Sequence, residues 1–315
     1  ARFALQTNKK LASHSPTPLN ISLLGGFQLA FGEHTLSADQ ISLRKARDLL
    51  KLLALTPNHR LHREEVLDLL WPEQSPQQAA HNLSQTLYTL RPKLSALNSE
   101  IGLCFEDECL AFKASGGIST DVNDFECAAR SVLDFTGRIT TQATANCHEA
   151  ILKYTGDLLP DDGPSDLFYP RREQLRQMYI ELLLLFAHYS LELKDYLPTI
   201  DALQQIIVID PAHEEAHIRL MRTFALNGQR QAAIRQYQIL EEALRRELDV
   251  TPSPESTKIR DQILNGELVA TRSLVLPEWL VRPHHNLPSI ASSFVGRDAE
   301  IQQLRDLVQS HRLVS

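Results

Sequence analysis

Between Leu43 and Leu97 apolar residues recur at helical spacing in three successive runs. In the first, Leu43, Ala46, Leu49, Leu50 and Leu53 share one face; Ser42 is placed as N-cap and Thr56-Pro57-Asn58 as a stop after Leu55. The second runs from His62 to Leu70 and is closed by Trp71-Pro72. The third opens with Ser75-Pro76 as cap and first helical residue, and its stripe is Ala80, Leu83, Leu87, Leu90, Leu94 and Leu97, alternately three and four apart. Away from that stripe the third run carries His81, Asn82, Ser84, Gln85, Thr89, Arg91 and Lys93. Three consecutive helices are predicted, the last with one apolar and one polar side. Pro92 removes a helical hydrogen bond and crowds the carbonyl of Tyr88, so this helix is expected to end or kink near Arg91.

Period-two patterns flank the helices. Leu19 to Phe31 reads as two short strands broken at Gly25-Gly26, and a turn through Gly32-Glu33 leads to a third. Downstream, Ile101–Phe105 and Cys109–Lys113 flank Glu106-Asp107-Glu108 as a β-hairpin. Strands, three helices and a hairpin in that order make a winged helix-turn-helix.

From Val122 onward the pattern is almost wholly helical. Residues 187–211 and 221–245 repeat at an offset of 34: Lys194-Asp195-Tyr196 aligns with Gly228-Gln229-Arg230, Ile200 with Ile234, Leu203 with Tyr237 and Ile206 with Leu240. That is the tetratricopeptide period, in which stacked helix pairs bury a shared core and present a groove. Thr251-Pro252-Ser253-Pro254 closes the array before a last helix, Pro254 to Leu264. The expected fold is mainly α, an N-terminal α+β winged helix-turn-helix followed by a tetratricopeptide-like helical repeat domain.

The segments RKARDLLKLLAL, HREEVLDLLWPEQSP, AAHNLSQTLYTLR and TDVNDFE resemble the N-terminal half of SARP/AfsR-type bacterial transcriptional regulators, whose winged helix is OmpR-like. GDLLPDDGPSDLFYPRREQLRQMYIELL and EEAHIRLMRTFALNGQRQAAIRQYQILEEALRRELDVTPSPE are similar to the bacterial transcriptional activator domain of the same family. The resemblance implies a DNA-binding domain over 19–115 and an activator domain over 120–266; residues 1–18, polar and ending in Pro16 and Pro18, read as a leader arm, and 267–291, with Pro277, Pro283 and Pro288 and few periodic apolar residues, as an extended linker. Phe294-Val295-Gly296-Arg297 and Arg312-Leu313-Val314-Ser315 resemble the start of a STAND-type P-loop NTPase over 292–315. No G-x-x-x-x-G-K-[ST] follows within the 315 residues, so ATP is expected to belong to a missing C-terminal domain of a larger regulator, with no cofactor in this piece. Double-stranded DNA carrying direct repeats, RNA polymerase and a second copy of the chain are the implied partners.

Charge narrows how DNA could be held. The chain carries a formal −7, without the basic excess usual in nucleic-acid binders. Residues 42–97 nevertheless hold 8 Lys/Arg against 5 Asp/Glu. Arg44, Lys45, Arg47 and Arg63 near helix starts, with Arg91 and Lys93 at the end of the third helix, are the expected phosphate contacts; Arg60 flanks the second helix start as well. His81, Asn82, Ser84, Gln85 and Thr89 are the residues expected to face the major groove, because amide side chains pair bidentately with adenine and hydroxyls suit several base edges. So few phosphate contacts imply weak binding by one copy, hence paired sites. The acidic wing tip, Glu106-Asp107-Glu108, is expected to be repelled by phosphates unless Lys113 or the hairpin backbone compensates. The competing interpretation is a signalling scaffold whose winged helix no longer binds DNA, since a solvated three-helix unit has the same polar pattern.

Other motifs point less far. His213-Glu214-Glu215-Ala216-His217 fits the H-E-x-x-H of zinc proteases, yet it opens a repeat helix and no third ligand stands at a recognisable spacing. His284-His285 lacks further ligands, and Asp161-Asp162 reads as a solvated turn. Cys104, Cys109, Cys127 and Cys147 are too few and too scattered for a disulfide framework or a zinc knuckle. No apolar run approaches the roughly 20 residues that span a bilayer, and a cytoplasmic, non-enzymatic protein is expected.

Overall fold

The computed structural model describes residues 17–135, 137–163 and 167–268. The expected leader arm up to residue 16, the linker beyond residue 268 and the NTPase-like segment lie outside the described residues. Strands β1 (Leu19–Ser22), β2 (Gln28–Phe31) and β3 (His34–Ser37) form an antiparallel meander. Leu19 and Ile21 point inward while Asn20 and Ser22 face out, as strand alternation requires. Gly25, with φ +77°, turns the chain between β1 and β2, a backbone state that L side chains seldom adopt.

Helices α1 (Arg44–Leu55), α2 (Arg63–Leu70) and α3 (Pro76–Leu97) follow. Hairpin β5 (Ile101–Glu106) and β6 (Cys109–Ala114) pairs with β4 (Arg60–His62) in the order β4-β6-β5, making the wing. β7 (Ile118–Thr120) then returns to lie parallel to β1, completing a sheet in the order β3-β2-β1-β7. Neither β4 nor β7 is visible in the sequence pattern: each is three residues long and gains its place from a distant partner.

Three local expectations change. The cap of α1 is Leu43, with no side-chain hydrogen bond; Ser42 stands one residue too far upstream to serve. On the core side of α3 it is Ala79 that is fully buried, while Ala80 is only partly covered. More consequentially, α3 runs through Pro92 to Leu97. An interior proline costs about 3 kcal/mol, but Leu94 and Leu97 beyond it are buried, and each such leucine returns about 1.5–3 kcal/mol. Packing therefore carries the helix past the break.

The rest is helical: α4 (Asp121–Leu133), α5 (Thr141–Leu152), α6 (Tyr169–Glu192), α7 (Tyr196–Ile209), α8 (Glu214–Leu226), α9 (Arg230–Leu248) and α10 (Pro254–Asn265). The 34-residue repeat is reproduced bond for bond in the turns. After α6, Asp195 N donates to Ser190 O and Lys194 N to Leu191 O; after α8, Gln229 N donates to Phe224 O and Gly228 N to Ala225 O. Both are Schellman turns, and their pivots, Lys194 (φ 59°) and Gly228 (φ 76°), occupy equivalent left-handed positions. Among the described residues no helix is long and apolar enough to cross a membrane.

The strands and the repeats share one core and are joined by polar bonds. The Asp121 carboxylate accepts from the backbone N–H groups of Leu23 and Leu24 at 2.9 Å each. Leu24 bridges to Leu158, Leu159 N donates to Leu23 O, and the buried Arg172 guanidinium donates to the carbonyls of Leu158 and Leu159. Burial raises the Asp121 carboxyl above its ordinary value, and the N–H groups of Leu24, Leu23 and Val122 oppose that shift. Asp162, expected in a solvated turn, instead accepts from the buried Lys51 ammonium of α1.

Candidate nucleic-acid interface

Helix α3 starts where Ser75 Oγ accepts from Gln78 N, with Pro76 supplying the first helical φ. Its core face is Ala79, Leu83, Leu87, Leu90, Leu94 and Leu97. The opposite face is exposed and holds His81, Ser84, Gln85, Tyr88, Arg91 and Pro92, related by steps of three and four residues. Asn82, Thr89 and Lys93 form a partly covered flank beside it.

The polar groups of this face are not equally available. The Gln85 amide and His81 imidazole bond to each other at 2.9 Å. Asn82 is engaged on both sides: its Nδ2 donates to Gln74 Oε1 at 2.5 Å and its Oδ1 accepts from Gln78 at 3.4 Å. Ser84 and Thr89 donate their hydroxyl protons to Ala80 O and Gln85 O, within the helix. They keep lone pairs, so they can accept from base amino groups while their protons stay on the backbone. The Arg91 guanidinium has no hydrogen-bond partner among the described residues, and Gln85 keeps one amide N–H and its side-chain carbonyl oxygen free.

Arg91 lies on the exposed face of α3, and the other expected cations fall into two places. Arg47 donates to Ala38 O at 3.5 Å and Lys93 to Gln40 O at 2.5 Å, so both flank the 3₁₀ turn Ala38–Gln40 that precedes α1. Exposed Arg44 and Lys45 occupy the first turn of the helix that follows it. Exposed Arg63 opens α2, beside the wing tip, where its N–H donates to Glu108 O. Two of the wing acids are matched with cations, Glu106 with Lys113 and Asp107 with Arg60 at 3.5 Å, while Glu108 lies 3.6 Å from the His62 imidazole. Hydrogen bonding to Lys113 holds the Glu106 carboxyl below its usual range. Lys113 is thus committed to Glu106 and is not a spare phosphate contact.

Tyr88 is absent from the sequence-predicted set. Its side chain is 80% exposed, the most open aromatic of the winged region. The signal was available, because Tyr88 falls out of phase with the apolar stripe, in the middle of the polar side.

Beyond the wing, residues 120–264 match the family described as Bacterial transcriptional activator domain. The match starts at Thr120, the N-cap whose Oγ1 accepts from Asn123 N, and ends within α10. Over the longer span, Regulatory protein AfsR of Streptomyces griseus is 22% identical across 294 residues, which are 91% of this chain and 29% of that protein. The chain spans less than a third of that relative's length. The fold is similar to that of Mycobacterium tuberculosis EmbR, solved in complex with a low affinity phosphopeptide, with a TM-score of 0.63 at 18% identity over 79% of this chain and 65% of that one.

Within the matched segment, the residues of the H-E-x-x-H motif bond to their neighbours in the fold. His213 caps α8 by accepting from Ala216 N at 3.2 Å. His217 is fully buried; its Nδ1 accepts from Gln236 and its Nε2 donates to Pro211 O, a tautomer assigned from those partners. Glu214 accepts from Ser253 N and Ser256 Oγ, and Glu215 pairs with Arg219. With both imidazoles and both carboxylates so engaged, the motif serves packing between α8, α9 and the start of α10. An apolar groove of about 820 Å³ opens between α5, α6 and α7, where Leu152, Leu193 and Leu197 are exposed around Phe186.

Proposed function

We propose that this chain is the DNA-reading and activator portion of a bacterial transcriptional regulator of the SARP/AfsR type. The observation that carries the proposal is the outward face of α3, polar and uncovered on a winged helix-turn-helix, fused to a segment that matches an activator domain. Gln85 reads base edges in the major groove, as does Arg91, which the sequence alone assigned to a phosphate; Ser84 and Thr89 assist as acceptors and His81 as a donor through Nδ1, while Asn82 orients the helix start through Gln74. Arg44, Lys45, Arg47, Arg63 and Lys93 hold phosphates and set register. With that small number of cations, two copies on direct repeats give useful affinity. The groove between α5, α6 and α7 is the surface offered to a protein partner, a second copy or RNA polymerase.

The scaffold interpretation draws on the net charge of −7 and on a wing whose cations are already paired. Selection of the 315-residue chain against random duplex DNA separates the two. Recovery of a repeated motif is expected. Retention that only follows salt, with no motif, overturns the DNA-reading proposal in favour of the scaffold.

A further inference from the structure

Tyr88 and Pro92 stand one helical turn apart at the point of α3 farthest from the core. Tyr88 is 80% exposed, and among the described residues no side chain stacks on it or bonds its hydroxyl. Pro92 has no N–H to give to the Tyr88 carbonyl one turn back, so the apex of the face presents a ring and a pyrrolidine where its flanks present Gln85, Ser84 and Arg91. This is an apolar patch in the middle of a polar reading surface.

The floor of the major groove is lined with hydrogen-bond donors and acceptors, and its apolar group is the C5-methyl of thymine. An apolar apex therefore has a specific chemical complement there. We propose that Tyr88, backed by Pro92, covers a thymine methyl and so fixes a T·A pair in the target between the positions read by Gln85 and Arg91. The inference rests on the reading that α3 enters the major groove, and it adds a specificity-determining residue of a different chemistry. The ring face and edge make the contact; the phenolic hydroxyl is not required.

The test uses the duplex recovered by selection, with each thymine of the motif replaced in turn by uracil, which deletes only the methyl. Burying one methyl is worth about a fourfold change in affinity, so one position should weaken the parent chain by about that factor. Tyr88→Phe should keep the full sensitivity at that position. Tyr88→Ala should bind thymine and uracil duplexes alike, at the parent's uracil level. Because Tyr88 is exposed, the melting temperature of both variants should match the parent's and exclude a folding defect. A motif without any methyl-sensitive position, or Tyr88→Ala retaining the sensitivity, overturns this inference and leaves the proposed function standing. Loss of affinity in Tyr88→Phe without a methyl effect also overturns it, because the hydroxyl is then the contact. Failure to recover any motif overturns both together.

Discussion

Lys51 and Asp162 are 111 residues apart in sequence, yet the ammonium lies 2.5 and 2.7 Å from the two carboxylate oxygens. The Lys51 side chain is 4% exposed and Asp162 18%, so the pair is largely shielded from water. The ammonium also sits 5.4 Å from the Phe27 ring centre. Removing one partner strands a buried charge, whereas removing both does not. Asp162→Ala is expected to destabilise the chain by about 3 kcal/mol, and Lys51→Met with Asp162→Leu to lie within about 1 kcal/mol of the parent. Urea unfolding measures both; an Asp162→Ala chain as stable as the parent contradicts the assignment.

The wing turn places Asp107 at φ 45° and Glu108 at φ 63°, both in the left-handed region that two-residue hairpins usually give to Asn-Gly. Asp107→Asn with Glu108→Gly should therefore stabilise the fold by about 1 kcal/mol. The same change frees Arg60 and His62 from their acidic partners. DNA retention should rise, with the slope of log affinity against log salt steeper by about one. A more stable protein with an unchanged slope would place the wing away from the phosphates.

Arg44 and Gln85 should fail differently. Arg44→Ala is expected to weaken binding to all duplexes alike and to flatten the salt dependence by about one phosphate contact. Gln85→Ala should cost about 1–3 kcal/mol at one base position and relax the preference there. Competition with single-base variants of the selected motif distinguishes them; identical profiles would remove the division between phosphate and base contacts.

His217 ties stability to pH. Burial pulls its pKa below the ordinary value, while the bond to the Pro211 carbonyl partly resists. The native imidazole stays neutral as the unfolded chain takes up a proton below about pH 6.5, so stability is fully present above that value and falls as pH drops. Against His217→Gln, which keeps a partner for Gln236 and does not titrate, the parent should lose up to about 1.4 kcal/mol per pH unit below 6.5. Melting curves of both chains between pH 7.5 and 5 give the difference, and parallel curves would refute the buried neutral state.

Much of this architecture is written in local pattern. The three-helix block, its Ser75-Pro76 start, the hairpin and the 34-residue repeat all depend on spacings that neighbouring residues display. What escaped depends on distant partners. β7 exists because Leu19, Asn20 and Ile21 pair with Ile118, Ser119 and Thr120, roughly a hundred residues on, and three residues carry no periodicity of their own. Asp162 resembles any turn aspartate until Lys51 is placed beside it. Pro92 misleads for the same reason, since the leucines that hold the helix together beyond it matter only once they are packed. The polar face was legible, but not that Asn82 bonds to Gln74 or that Tyr88 stands 80% exposed in its middle.

The joint built from Asp121, Arg172, Leu24 and Leu158 has a mechanical meaning. Where a reader and its partner-binding array are tied by a slack tether, each finds its own pose. Here a shared core and a set of backbone hydrogen bonds leave little slack between the repeats and the winged region that carries α3. If α3 reads DNA as proposed, a partner held by the repeats would turn the helix with them instead of leaving it to find its own pose.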